Sequence, residues 1–104
     1  MTTFDTRQKA FEDKFARDAD LQFKVTARRN RLLGLWAAER LGMTPEAASD
    51  YAKSVVAADF EEAGEEDVFR KVAADLGDAA TEAEIRAAMQ STFTEAQRQY
   101  MDAA

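Results

Sequence analysis

Apolar residues recur along this chain at intervals of three and four, the spacing that places side chains on one face of an α-helix. Near the carboxyl end, Ile85, Met89, Phe93, Ala96 and Tyr100 follow this spacing without interruption. No segment shows the strict apolar–polar alternation of a half-exposed β-strand. The pattern therefore predicts an all-α fold. Its four helices are expected over residues 20–41, 44–62, 65–76 and 81–102.

The predicted helices have recognisable ends. Thr44 and Pro45 form a helix start, because threonine accepts a hydrogen bond from the first turn and proline there needs no partner for an N–H. Thr81 and Glu84 have the spacing of a capping box. Glycines follow three of the apolar segments, at Gly42, Gly64 and Gly77. The connections are short, so we expect a compact four-helix bundle-like domain over residues 19–104.

The first of the long predicted helices carries an apolar stripe and an unexpected glycine. The stripe consists of Leu21, Val25, Leu32, Leu35 and Trp36. Gly34 lies within the same helix, although a glycine there costs about 1 kcal/mol relative to alanine. We expect a second helix, or the ring of Trp36, to approach Gly34 closely, since the absent side chain leaves room for such an approach.

Residues 1–18 are expected to form a separate N-terminal segment, either mobile or helical. Phe4, Phe11 and Phe15 lie within about 20° of one line on a helix, and this line is rotated by about 80° from the stripe of the next helix. One straight helix would not place both stripes on the same core, so a bend or break is expected near residues 17–20. Two interpretations stay open. Either the phenylalanines cap the bundle, or the segment detaches and its aromatic face binds a groove of a partner protein.

Composition narrows the range of functions. The chain has 104 residues, enough for one domain, and it contains neither cysteine nor histidine. These absences exclude disulfides, thiolate metal sites and the commonest general base. No serine, tyrosine or carboxylate lies in a recognisable catalytic motif, so we expect neither an enzyme nor a metal site. No apolar run is long enough to cross a membrane, and no direct membrane insertion is expected.

Charge is unevenly distributed along the chain. Residues 1–40 carry a net charge of +3 and residues 41–104 a net charge of −9, for a total of −6. The negative total argues against nucleic acid as a partner. Arg28, Arg29 and Arg31 form the densest basic cluster, which either binds phosphate groups or pairs with acidic residues across the bundle. The acidic residues considered for that pairing are Glu61, Glu62, Glu65, Glu66 and Asp67.

Several of these features occur together in a known family. The opening residues Met1–Asp5, the pair Phe11 and Phe15, and above all the block from Ala27 to Ala38 (ARRNRLLGLWAA) resemble the zeta subunit of the alpha-proteobacterial F1-ATPase. The resemblance covers essentially the whole chain. It implies an all-helical inhibitor of ATP hydrolysis by the F1 motor, with a fold distinct from those of the mitochondrial inhibitor and the bacterial epsilon subunit.

The resemblance also implies which residues meet the enzyme. In this family the N-terminal segment is the inhibitory part, and it becomes helical as it enters a catalytic interface of F1. The implied partners are the F1 catalytic subunits and the rotor, so the protein would act in the cytoplasm at the inner face of the cell membrane. The apolar anchors would be Phe4, Phe11 and Phe15, with charged contacts available from Arg7, Lys9 and Lys14.

Some members of the family are described as binding adenine nucleotides weakly, and no other cofactor is expected. This sequence carries no motif for that binding, so Arg28, Arg29 and Arg31 are candidates on charge alone. An adenine-nucleotide sensor and a structural helical adaptor stay open as alternatives to the inhibitor.

Overall fold

The computed structural model describes residues 3–59 and 64–103, which form five α-helices and no β-strand. The all-α prediction is confirmed. The second predicted helix was expected to end at residue 62, which lies outside the described residues. The helices are α1 (Thr3–Arg17), α2 (Ala19–Arg40), α3 (Pro45–Ala58), α4 (Glu66–Leu76) and α5 (Glu82–Ala103), with a 3₁₀ turn at Gly77–Ala79.

The predicted helix starts are present. Thr44 Oγ1 accepts a hydrogen bond from the N–H of Ala47 at 3.3 Å. At the start of α5, the N–H of Thr81 donates to Glu84 Oε1 at 3.0 Å and the N–H of Glu84 donates to Thr81 Oγ1 at 3.1 Å, which confirms the capping box. The hydrogen bond from the Thr81 backbone, followed by one from Arg40, holds the pKa of the Glu84 carboxyl below its usual range. The start of α5 is thereby tied to the end of α2.

Helix α2 is the centre of the fold, since it packs against each of the other four helices. Gly34 marks a very close contact with α3. A β-carbon at this position would lie 2.7 Å from the α-carbon of Ala52 and 3.2 Å from a methyl carbon of Val55. The distance to the Ala52 backbone is too short for a real contact and the distance to Val55 is unusually tight, so α3 packs this closely against α2 because residue 34 has no side chain. The predicted close approach of a second helix is confirmed.

The apolar stripe predicted for α2 needs a correction. Trp36 and Leu32, two of its large members, are only half-buried. Val25 of the predicted stripe is fully buried, and so are Leu33, Ala37 and Ala38, which the prediction did not include. Large side chains were favoured in the prediction, whereas the close contact with α3 requires small ones. The most buried side of α2 is therefore not the side that carries most of its large apolar residues.

The core is built from α2, α3, α4 and α5, which we call the body. The apolar residues Val68, Phe69, Val72 and Leu76 of α4 are all buried there. Helix α1 contributes no buried residue to this core. The core residues are Leu33, Ala37, Val55, Val68, Phe69, Val72, Leu76, Ile85, Ala88 and Met89.

The helical conformation is interrupted between α1 and the body. Helix α1 ends at Arg17, and Asp18 has an extended backbone with φ −106° and ψ 101°. Asp18 Oδ1 accepts a hydrogen bond from the N–H of Leu21 at 3.1 Å, so Asp18 caps the start of α2. The predicted break near residues 17–20 is confirmed, and it sets α1 against α2 and α5. The separate inhibitory role of residues 1–18 stays a prediction.

Candidate functional site

Helix α1 carries the residues that the sequence predicts to form a partner-binding surface. Asp5 lies in its first turn, and Lys14 and Arg17 lie in its last turn, where their charges complement the helix dipole. This charge arrangement favours a helix even without a core beneath it. None of residues 3–17 is buried. Helix α1 is therefore a surface helix whose aromatic side chains lie outside the core.

The three phenylalanines of α1 form a row with one open end. Phe4 is 54% exposed, whereas Phe11 and Phe15 are half-buried. The rings of Phe11 and Phe15 are stacked with their centroids 6.3 Å apart. Phe15 in turn meets Phe93 of α5 edge to face at a centroid distance of 5.8 Å. The row thus contacts the body at Phe15 and is largely exposed at Phe4.

The basic residues of α1 have different surroundings. Arg7 Nη2 donates a hydrogen bond to the carbonyl oxygen of Met101 at 3.3 Å. That carbonyl belongs to the last turn of α5, where carbonyl groups have no partner within the helix. Lys9 and Lys14 are exposed. The structure therefore brings Arg7 to the end of α5 and leaves the two lysines on the surface.

The basic cluster on α2 is divided among three environments. Arg28 donates to the side chain of Gln99 on α5 at 2.8 Å. Arg29 is buried and forms an ion pair with Glu65 at 3.2 Å. Arg31 is exposed. Nucleotide binding by these three arginines stays a prediction, and the structure does not direct their guanidinium groups to one point.

Pairing across the bundle is found for part of the acidic segment. The ion pair between Arg29 and Glu65 confirms one of the pairings considered from the sequence. Glu66 pairs instead with Arg86 of α5 at 3.0 Å. The two acidic residues Glu61 and Glu62 lie outside the described residues. The net positive residues 1–40 and the net negative residues 41–104 are therefore linked within one fold by the ion pair between Arg29 and Glu65.

A polar cluster beneath Arg29 was missed by the sequence analysis. Arg29 Nε donates to Asn30 Oδ1 at 2.7 Å, and Asn30 is fully buried. Its side-chain nitrogen Nδ2 has no hydrogen-bond partner among the described residues. Asn30 lies four residues before Gly34, on the side of α2 that faces α3. Helical spacing from Gly34 was the signal that could have identified it.

The cluster includes a carboxyl group at the end of α3. Burial raises the pKa of Asp59, and the negative charges of Asp67 and Glu65 raise it further. Arg29 opposes this shift, as does Asn30 through a polar contact that falls outside hydrogen-bond geometry. The arrangement joins α2 to the connection between α3 and α4. It contains no nucleophile paired with a base.

Metal ions and membranes are two other partners that a small helical protein can bind. Within residues 3–59 and 64–103, no group of acidic side chains is arranged to hold a metal ion. No helix in the same part of the chain combines the length and the apolar character needed to span a membrane. The aromatic and basic surface of α1 is thus the candidate functional site.

Comparison with known proteins bears on the fold and the family of the chain. A protein solved in solution by NMR is 52% identical to this chain, with a TM-score of 0.75. The alignment covers 81% of this chain and 99% of that chain. Among curated proteins, none matches. The family described as ATPase inhibitor subunit zeta matches residues 1–99, which confirms the resemblance drawn from the sequence. The chain therefore belongs to the ATPase inhibitor subunit zeta family.

Proposed function

We propose that this protein blocks ATP hydrolysis by the F1 part of ATP synthase by inserting α1 at a catalytic interface, while the body holds it on the enzyme. Family membership supports an inhibitory role on an ATPase in general. The observation that carries the finer proposal is a helix with an aromatic row and no buried residue. Such a helix is available to a partner without any loss from the core.

The chemistry of α1 suits insertion between protein surfaces. A segment that becomes fixed on binding loses conformational entropy, and buried aromatic area offsets that loss. Phe4, Phe11 and Phe15 supply this area from one side of the helix. Lys9 and Lys14 are exposed and provide positive charges for carboxylates on the enzyme. Because α1 is already helical, less entropy is lost than for an unstructured segment.

The body suits a holding role. An inhibitor of a rotary enzyme needs no catalytic group of its own, and it needs a rigid element that obstructs movement. The packed helices α2–α5 supply a rigid support from which α1 extends. We place the protein accordingly on F1, at the inner face of the cell membrane, with the catalytic subunits and the rotor as its contacts.

The decisive experiment deletes residues 1–17 and measures ATP hydrolysis by the F1 enzyme of the same organism. Inhibition is expected to disappear, because the aromatic row is removed. Circular dichroism should show that the shortened protein stays helical, since α1 contributes no buried residue. Undiminished inhibition by the shortened protein would exclude α1 as the inhibitory element.

A finer test replaces individual side chains. The double change Phe11→Ala with Phe15→Ala should raise the concentration needed for half-inhibition by roughly thirtyfold or more, the effect of losing a buried aromatic anchor. Lys9→Ala should have a much smaller effect, because exposed charges contribute little. Phe23→Ala is the matched control on α2, since Phe23 is 55% exposed and lies outside α1. Equal effects of the three changes would contradict the proposal.

A further inference from the structure

Helix α1 is held on the body by side chains that the proposed function also needs. Phe15 packs edge to face on Phe93 of α5, with the ring centroids 5.8 Å apart. Arg7 donates to the carbonyl oxygen of Met101 at 3.3 Å. Gln22 Nε2 of α2 donates to the carbonyl oxygen of Phe15 at 2.6 Å. The contacts therefore involve the aromatic row and a basic residue of α1.

This docking also satisfies backbone groups of the body. The carbonyl of Met101 lies in the last turn of α5, and a guanidinium is a favourable partner at a helix C-terminus. The Met101 side chain is only 8% exposed, although it lies near the end of the chain. It lines the grooves on either side of α1 together with Phe11. The docked position of α1 thus covers the carboxyl end of α5.

The fit between α1 and α5 is nevertheless shallow. An open groove of about 220 Å³ remains beside Phe4, Phe11 and Met101. A second open groove, of about 280 Å³, lies by Arg7 and Lys14. No residue of α1 is buried, so the helix can leave the body without opening the core.

We propose that the docking of α1 on the carboxyl half of α5 is an autoinhibitory contact, in which the body of the protein competes with the enzyme for Phe15 and Arg7. This inference rests on the proposed function. The docked helix cannot present Phe15 to F1 while that ring packs on Phe93. The potency of the inhibitor is then set by the equilibrium between docked and released α1 as well as by the contacts with F1.

The effect of docking on inhibitory potency depends on the fraction of molecules in which α1 is released. When only a fraction of the molecules is competent to bind, the apparent dissociation constant increases by the reciprocal of that fraction. If about one molecule in ten has α1 released, the inhibitor is about tenfold weaker than a permanently released form. Loosening the docking should therefore improve inhibition, which a purely structural contact would not do.

The experiment locks α1 onto α5 in the full-length protein. Gln8 and Gln97 line the same groove, one on each helix, and the chain has no natural cysteine. The double variant Gln8→Cys with Gln97→Cys is joined by a short bis-maleimide linker that contains a reducible disulfide. Linked protein should inhibit F1 at least about tenfold more weakly than the same sample after reduction, because reduction releases α1.

Two controls isolate the effect of locking. The reduced sample keeps both adducts, so it accounts for the chemical modification itself. A long flexible linker between the same cysteines allows α1 to move away, and this form should inhibit like the reduced sample. Equal inhibition by the short-linked and reduced proteins would overturn the inference.

A second variant tests the contact from the opposite direction. Phe93→Leu removes the edge-to-face contact while keeping an apolar side chain, so it should lower the concentration needed for half-inhibition by about threefold. Unchanged or weaker inhibition by this variant, with its helical content intact, would count against the inference. Failure here remains distinct from failure of the proposed function, since the latter is shown by undiminished inhibition after deletion of residues 1–17.

Discussion

Helices α1 and α4 are both short and amphipathic, yet the fold uses them in opposite ways. Helix α4 has 11 residues and buries five of them, whereas α1 has 15 residues and buries none. In α4 four of the five buried residues are the apolar Val68, Phe69, Val72 and Leu76, and the one polar member, Asp67, lies in the first turn at the helix end. In α1 the aromatic row is interrupted between Phe4 and Phe11 by the polar residues Arg7 and Gln8. Burying either side chain against an apolar core would remove its hydration.

Aromatic content alone does not bring a helix into the core. A continuous apolar side is required, because each polar side chain on that side would lose its hydration. An interrupted row can still bind a groove whose edges offer polar partners. Arg7 shows this within the protein itself, since it reaches the carbonyl of Met101. Helix α4 is therefore part of the core, whereas α1 keeps its aromatic and polar side chains at the surface, as the proposed binding role requires.

The largest expected difference between the two helices is in their contributions to stability. Phe69→Ala in α4 should lower the free energy of unfolding by about 3–5 kcal/mol, because it removes a buried ring and leaves a cavity. The ring also supports the guanidinium of Arg86, which lies 3.7 Å from its centroid. Phe11→Ala in α1 should lower it by less than about 1 kcal/mol, since that ring is half-exposed. Urea unfolding followed by circular dichroism measures both values.

Similar costs for the two changes would contradict this comparison. They would mean that α1 unfolds together with the body and that its aromatic row is part of the core. Its proposed release for binding to F1 would then be too costly.

A smaller loss of stability is expected when the contact between α2 and α3 is disturbed. Gly34→Ala should lower the free energy of unfolding by about 1–3 kcal/mol, although alanine favours a helix, because the new β-carbon would collide with the backbone of Ala52. Ala16→Gly is the corresponding exchange in α1, where the side chain is exposed. It should weaken that helix locally by about 1 kcal/mol and leave the unfolding transition of the body unchanged. Thermal and urea unfolding of the two variants provide the measurement, and a gain in stability from Gly34→Ala would refute the close contact.

The smallest expected effect concerns the pH dependence of the body. The pKa of Asp59 is raised above 3.8 mainly by burial, so the folded protein binds this proton more tightly than the unfolded chain does. The resulting stabilisation is present below pH 3.8 and is lost as the pH rises through the folded-state pKa. Asp59→Asn should accordingly stabilise the protein at pH 7 by roughly a few tenths of a kcal/mol, since it also removes a negative charge from the C-terminal end of α3.

At pH 3 the difference in the free energy of unfolding between Asp59→Asn and the natural protein should nearly vanish, because the Asp59 carboxyl group is then protonated and uncharged like the amide. Asp13→Asn on the exposed surface of α1 serves as the matched control and should change stability little at either pH. Urea unfolding at the two pH values measures these differences. A loss of stability at pH 7 from Asp59→Asn would show that the charge of Asp59 strengthens the cluster around Arg29.

Much of the fold could be read from local signals. The capping box at Thr81 and the start at Thr44 depend on residues three positions apart, so the sequence alone predicts them. The break near Asp18 followed from two apolar lines that one straight helix cannot place on the same core. The buried side of α2 was less predictable, because small residues such as Ala37 and Ala38 become core only when other helices pack against them.

The same division applies to the candidate site. The sequence identified Phe4, Phe11 and Phe15 as one aromatic row, since their helical angles require only their spacing. That Phe15 meets Phe93 and that Arg7 meets Met101 was not accessible to this reasoning. These pairs are far apart in the chain, and no local pattern encodes the distance between them. The same holds for Asn30 and Asp59, whose polar cluster exists only where α2 and α3 meet.

The helices, the starts of α3 and α5, the break before α2 and the family of the chain follow from the sequence alone. Each of these depends on residues within a few turns of one another, or on a contiguous block such as the one from Ala27 to Ala38. Contacts between helices determine which residues of α2 are buried and which residue pairs with Arg29. They also place α1 against α5. These contacts join segments distant in the chain, and their formation depends on the packing of whole helices, which local spacing does not specify.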